Sequence, residues 1–162
     1  MKGTYTLLIT CAKPFRTKIG SLGCATIRKG HYLYTGSALG YGSVSLEGRL
    51  SRHLRMQKKV NWHVDHLTSN PLCSVKAIVF LRSSKRLECS INQAIVRNLK
   101  AKPILPRAGS SDCNCKGHLT RVRNSIGTGK ILANVTSVYL RFGRAVRYME
   151  FGNRKSKKAG QF

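Results

Sequence analysis

Apolar positions change their spacing along this chain, and each change marks an element. GTYTLLIT at 3–10 is a strand, closed off before Pro14. Residues 16–38, RTKIGSLGCATIRKGHYLYTGSA, read as two or three short strands with Gly20, Gly23 and Gly30 at turn positions. From 44 to 56 the spacing lengthens: Leu46, Leu50 and Leu54 recur every four residues, which predicts an amphipathic helix. Gly48 inside it should cost stability against alanine. NWHVDHLTSN at 61–70 is a short helix ended by Pro71, and CSVKAIVFL at 73–81 is a buried strand rich in branched residues. Residues 85–99 form a second long helix with Leu87, Ile91, Ile95 and Leu99 on one face. PILPRAGSSDCNCKGHL, starting at Pro103, is a loop. GTGK at 127–130 lacks the leading glycine and trailing hydroxyl residue of a phosphate-binding loop and reads as a turn. ILANVTSVYLRF at 131–142 predicts a late strand or strand pair. Residues 152–162 are a basic tail without the apolar content to order by itself.

A chain of 162 residues with 41% hydrophobic content suits one domain with a genuine core. No apolar run approaches the ~18 residues of a membrane helix, and the start of the chain lacks the pattern of a secretory signal. The expectation is a cytoplasmic protein with no membrane partner. Charge alters this picture most. Lys and Arg number 30 against 5 acids, a net charge of +25. Such self-repulsion calls for a polyanionic partner, and cations on phosphates release condensed counterions, so nucleic acid is the first candidate. From Arg141 onward seven cations (Arg141, Arg144, Arg147, Arg154, Lys155, Lys157 and Lys158) face Glu150 alone, the profile of a segment laid along phosphates. Arg52, Arg55, Lys58 and Lys59 form a second basic cluster at the end of the first helix.

The six cysteines are expected to be reduced thiols, four of them in apolar surroundings where cysteine behaves as a small hydrophobe. Cys113, Cys115 and His118 are close in sequence but lack the two matched pairs of a structural zinc site. No fourth ligand is evident, so zinc is not expected there. A tight loop with Asp112 facing a site or capping a helix is the preferred reading. Trp62, His63 and His66 on one short helix read first as packing under the sheet.

The motifs KGTY, GHYLYTGSALG, LEGRLSRHL, WHVDHL, LEC and GSSDCNCKGHL appear in this order over roughly residues 2–120. Together they resemble the GIY-YIG nuclease superfamily, and specifically a GIY-YIG-related domain family of unknown function found in archaea and bacteria. The resemblance implies an α+β fold with a small central β-sheet flanked by helices, here followed by a basic C-terminal extension. It divides the chain into a GIY-YIG-like domain at 1–120, a strand-containing extension at 121–151 and the tail at 152–162. It also implies a site. Tyr5 would be the general base or water-orienter with Tyr34 beside it. Arg49 would clamp a phosphate through its planar fork, His53 would assist proton transfer, and Glu88 would hold one Mg²⁺. Asn98 is the candidate for a catalytic asparagine on the second long helix.

Two functions follow. One is a structured-RNA-binding protein using this fold as a scaffold, a ribosomal or ribosome-associated protein that contacts rRNA alongside other ribosomal proteins. The other is an active Mg²⁺-dependent endonuclease cleaving DNA or RNA phosphodiesters. Every matched position carries a competent residue, which suits the enzyme. The scarcity of acids and the basic end suit the RNA binder, with RNA preferred over DNA, and a fold can outlast its activity.

Overall fold

The computed structural model describes residues 1–152. Arg154, Lys155, Lys157 and Lys158 of the expected basic tail lie outside the described residues. The fold is α+β. Strand β1 (Gly3–Cys11) is followed by the β2 (Phe15–Lys18) and β3 (Cys24–Ile27) hairpin and by β4 (Gly30–Ala38). Helices α1 (Leu46–Leu54) and α2 (Asp65–Thr68) lead to β5 (Cys73–Arg82) and α3 (Glu88–Leu99). Short strands β6 (Lys102–Pro103) and β7 (Leu119–Arg121), helix α4 (Thr128–Leu140) and strand β8 (Val146–Glu150) complete it. Six strands form one sheet in the order β6-β7-β4-β1-β5-β8, with every neighbour antiparallel.

Strand β1 sits inside the sheet and is covered on both faces, so the threonines that alternate with its apolar residues, Thr4 and Thr6, are buried as well. Tyr5, Leu7, Ile9 and Cys11 point to one side, into a core completed by Leu46 and Leu50 of α1, Val64, Leu67 of α2 and Ala25 and Ile27 of the hairpin. Leu8 points to the other side, with Leu33, Ala77, Val79 and Leu81, beneath Ile91 and Ile95 of α3 and Ile131, Val135 and Val138 of α4. The result is a sheet between two helical layers. In α1, Ser45 caps the first turn by accepting from the Gly48 amide at 3.1 Å. Gly48 has a packing reason: a Cβ there would come within 2.5 Å of the Gly42 carbonyl oxygen. Alanine is therefore not the better residue at this point of the helix.

Two expectations are corrected here. Residues 131–142 are not a strand: they lie in α4 and its C-terminal end, and GTGK is the start of that helix rather than a turn. Branched side chains suggest a strand, but Ile131, Val135, Val138 and Tyr139 fall on one helical face and are all buried. Burial of that face outweighs the weak propensity. The Tyr139 hydroxyl also reaches Thr6 at 2.9 Å, tying α4 to β1. Nor are all six cysteines thiols. Cys11 and Cys73 are directly opposed in the β1–β5 register and form a disulfide, while Cys24, Cys89, Cys113 and Cys115 are free. Among the described residues no helix is long and apolar enough to cross a membrane.

Candidate functional site

Pairing of β1 with β4 sets Tyr5 opposite Gly36, two residues beyond Tyr34, so both tyrosines stand on the same face. Their rings lie 6.2 Å apart. Gly36 is required between them: a Cβ there would meet the Tyr5 hydroxyl at 2.9 Å and Tyr34 Cε1 at 3.2 Å. Helix α1 brings His53 over this pair, with ring centroids 5.4 Å from Tyr5 and 5.7 Å from Tyr34. The Tyr5 hydroxyl and His53 Nε2 share a hydrogen bond of 2.8 Å, and His53 Nδ1 is buried without a partner.

Burial governs the chemistry of these groups. Burial, with Tyr34 nearby, pushes the Tyr5 phenol well above its usual value, although Arg49 beside it opposes the shift. Burial also lifts Tyr34 to about 12 against the same arginine. Burial and the Lys58 charge bring His53 down to about 3. Near neutral pH the cluster therefore holds two neutral phenols and a neutral imidazole, able to share protons along hydrogen bonds but carrying no charge of its own.

Its charge comes from Arg49, one turn before His53 on α1. Arg49 lies over the Trp62 ring at 5.0 Å, and its Nε is buried with no hydrogen-bond partner. It lines an open hollow of about 240 Å³ with Tyr34, Asn61, Trp62, His63 and Asp112. His63 Nδ1 accepts from the Gly109 amide at 2.9 Å, which joins the far wall to the 104–118 loop. Of the three residues expected to pack under the sheet, Trp62 and His63 line the hollow, whereas His66 faces Thr17 of the hairpin at 3.4 Å. Asp112 faces the site, one of the two roles expected for it. The participation of Asn61 has no sequence signal beyond its position next to Trp62.

Glu88 does not line the hollow. It is buried in the first turn of α3, and Arg86 Nε donates to its Oε1 at 2.8 Å. The other nitrogen end of Arg86 donates to Asp112 Oδ2, so one guanidinium links Glu88 to the wall of the hollow. Glu88 Oε2 is buried with no partner. Asn98 is exposed; the buried asparagine of α3 is Asn92, which donates to the Gly117 carbonyl at 2.9 Å.

The basic residues divide. Arg52 makes a two-point pair with buried Asp65, both bonds 2.8 Å, and its Nη2 also donates to the Lys59 carbonyl. Lys58 donates to the carbonyls of Arg52 and His53 and to Thr68 Oγ1. Arg55, Lys59, Arg141, Arg144 and Arg147 are exposed. The expected extension, 121–151, takes in the end of β7, the whole of α4 with its buried apolar face and the edge strand β8, and carries the exposed Arg141, Arg144 and Arg147. Behind the hollow, Cys113, Cys115 and His118 meet Cys89 of α3, a fourth donor that the sequence spacing does not reveal.

A family model, a domain of unknown function designated DUF123, matches residues 4–140. The chain belongs to this family. The match runs through β1, both tyrosines, the hollow, the cysteine–histidine cluster and the whole of α4, so all of these are parts of the family's domain. No curated protein and no solved structure matches the chain.

Proposed function

We propose that this protein binds structured RNA, with a backbone phosphate seated in the hollow against Arg49, and that its place is on the ribosome in contact with rRNA. The observation that carries this reading is Arg49: a cation with an unpartnered buried Nε, at the wall of an open hollow whose Tyr34 and His63 are neutral. A guanidinium so placed suits a phosphate, to which it can donate from two nitrogens. Exposed residues elsewhere on the chain suit the same ligand. Arg55 and Lys59 are exposed beyond α1, and Tyr41 is 81% exposed with Lys2 over its ring, a platform on which an unstacked base can lie.

Likeness to the GIY-YIG nucleases gives the second reading, an endonuclease. One observation favours it: Glu88 Oε2 is a buried carboxylate oxygen without a partner, as a cation ligand would be. A bound Mg²⁺ would supply charge neutralisation at the transferred phosphate, and it is commonly held by one or two carboxylates. Here both nearby carboxylates are joined by the Arg86 guanidinium. The charge of both carboxylates is thus already met in part by a cation of the protein, which favours holding the strand over cutting it. In either reading Arg49 binds and orients the phosphate, and the Tyr5–His53 pair holds a proton beside it.

The test is sedimentation of cell extract at high salt. The protein is expected to travel with a ribosomal subunit, and Arg49→Ala should shift it to the free fraction. Recovery of the unaltered protein in the free fraction alone would overturn the ribosomal assignment. A panel of labelled RNA and DNA junctions with Mg²⁺ separates the second reading: cleavage abolished by Glu88→Ala, with binding retained, would replace the first.

A further inference from the structure

We propose that Cys89, Cys113, Cys115 and His118 hold one Zn²⁺ in a closed structural site. Their four donor atoms all lie within 4.8 Å of one another, and Cys113 Sγ is 3.7 Å from His118 Nε2. In a tetrahedral site with Zn–S near 2.3 Å and Zn–N near 2.0 Å, donors stand roughly 3.5–3.8 Å apart. Each donor is therefore within about an ångström of its place around one ion. Three sulfurs and an imidazole are a zinc donor set, and four protein ligands leave no open position for substrate or water.

The surroundings suit a ligated ion. His118 is buried, and its backbone carbonyl accepts from the Thr35 amide of β4 at 3.1 Å, which fixes the histidine against the sheet. Gln93 Nε2 points a donor at Cys115 Sγ, 3.9 Å away. The cluster also answers a structural need. Ser111, Asp112, Asn114 and Lys116 are all exposed, so few buried side chains hold this part of the loop. Backbone bonds such as Arg107 N–H to the Lys116 carbonyl (2.7 Å) and His118 N–H to the Ala108 carbonyl (2.8 Å) close it upon itself. An ion shared with Cys89 would fasten it to α3, beside Glu88, and so fix the wall of the hollow that carries Gly109 and Asp112.

Metal analysis of the full chain, purified without a histidine tag, tests the site. About one zinc per chain is expected. Cys89→Ser, Cys113→Ser and Cys115→Ser should each lose it, while Cys24→Ser, whose thiol is exposed on β3, should retain it. Because a ligand variant can fail to fold, the unaltered protein is also loaded with Co²⁺. Visible d–d bands of tetrahedral cobalt with thiolate-to-cobalt charge transfer are the expected spectrum. A protein that binds neither ion, one in which two of the three thiols are recovered as a disulfide, or one that carries iron instead would overturn the proposal. None of these readouts involves RNA, so the zinc site stands or falls separately from the RNA-binding reading.

Discussion

Arg49 and Arg52 stand one turn apart on α1, and both place a guanidinium over Trp62, at 5.0 and 4.1 Å. Their surroundings differ completely. Arg52 meets the Asp65 carboxylate in a two-point pair, and Lys58 stands 3.9 Å from the same carboxylate. Asp65 also accepts from the amides of Asn61 and Trp62, both at 2.9 Å. That side is a closed network which fixes the 58–68 segment against α1. On the other side Arg49 has neutral phenols, a neutral imidazole and an open hollow. A count of basic residues cannot separate the two. What separates them is whether an acid has been buried within reach, and in a chain with 5 acids that is the informative question.

The largest effect should come from breaking the closed side. Asp65 is fully buried. Asp65→Ala leaves Arg52 and Lys58 as uncompensated charges and two amides without an acceptor. Removing one partner of a buried pair costs about 3–5 kcal/mol, and chemical denaturation should record a loss of that size. A loss below about 1 kcal/mol, the usual worth of a surface pair, would mean that Arg52 and Lys58 are solvated rather than held.

Arg49→Ala should give the opposite profile. No acid depends on Arg49, so stability should fall only by its packing on Trp62. Binding should suffer instead. A hydrogen bond to a charged group contributes about 1.5–3 kcal/mol, so affinity for structured RNA should fall roughly ten- to a hundredfold. Arg55→Ala, at an exposed neighbouring position, should change it only a few-fold. Equal losses for the two variants would remove the special role given to the hollow.

This contrast also marks what could be read from the sequence. The apolar stripe of Leu46, Leu50 and Leu54 gives α1, and the ordered motifs bring Tyr5, Tyr34 and His53 to one place, because adjacent antiparallel strands and the next helix are close by connectivity. Arg49 and Arg52 look alike in sequence because the partner that distinguishes them, Asp65, lies beyond a loop. Cys89 escaped for a similar reason: it is far in sequence from Cys113, and only the packing of α3 against the 104–118 loop unites them. Cys11 and Cys73, 62 residues apart, required the β1–β5 register. The misreading of α4 had a local remedy, since Ile131, Val135, Val138 and Tyr139 are spaced as one helical face.

His53 lies where the two sides meet. Burial first, and then the Lys58, Arg52 and Arg49 charges, disfavour its protonation, and Asp65 favours it. The folded value near 3 is below the ordinary 6.5, so between them the unfolded chain binds the extra proton. The stability associated with neutral His53 is complete above pH 6.5 and is lost as pH falls toward 3. The slope should reach about 1.4 kcal/mol per pH unit for this one proton. His31 and His63 are also depressed, by burial first in each case, and add losses of the same sign. Asp65 is held below its ordinary 3.8, chiefly by the Arg52 hydrogen bond acting against burial, so its own contribution disappears only at still lower pH. Between about pH 4 and 6 the histidines dominate the slope, joined at the acid end by Glu47, whose carboxyl the N-terminal ammonium holds below its ordinary 4.5. His53→Gln keeps a group that can accept from the Tyr5 hydroxyl but cannot titrate. Its stability should fall less steeply with acid than that of the unaltered protein, by up to the slope of one proton. Identical slopes would mean that His53 is protonated in the folded state, and the site beside Arg49 would then carry a second cation rather than a neutral imidazole.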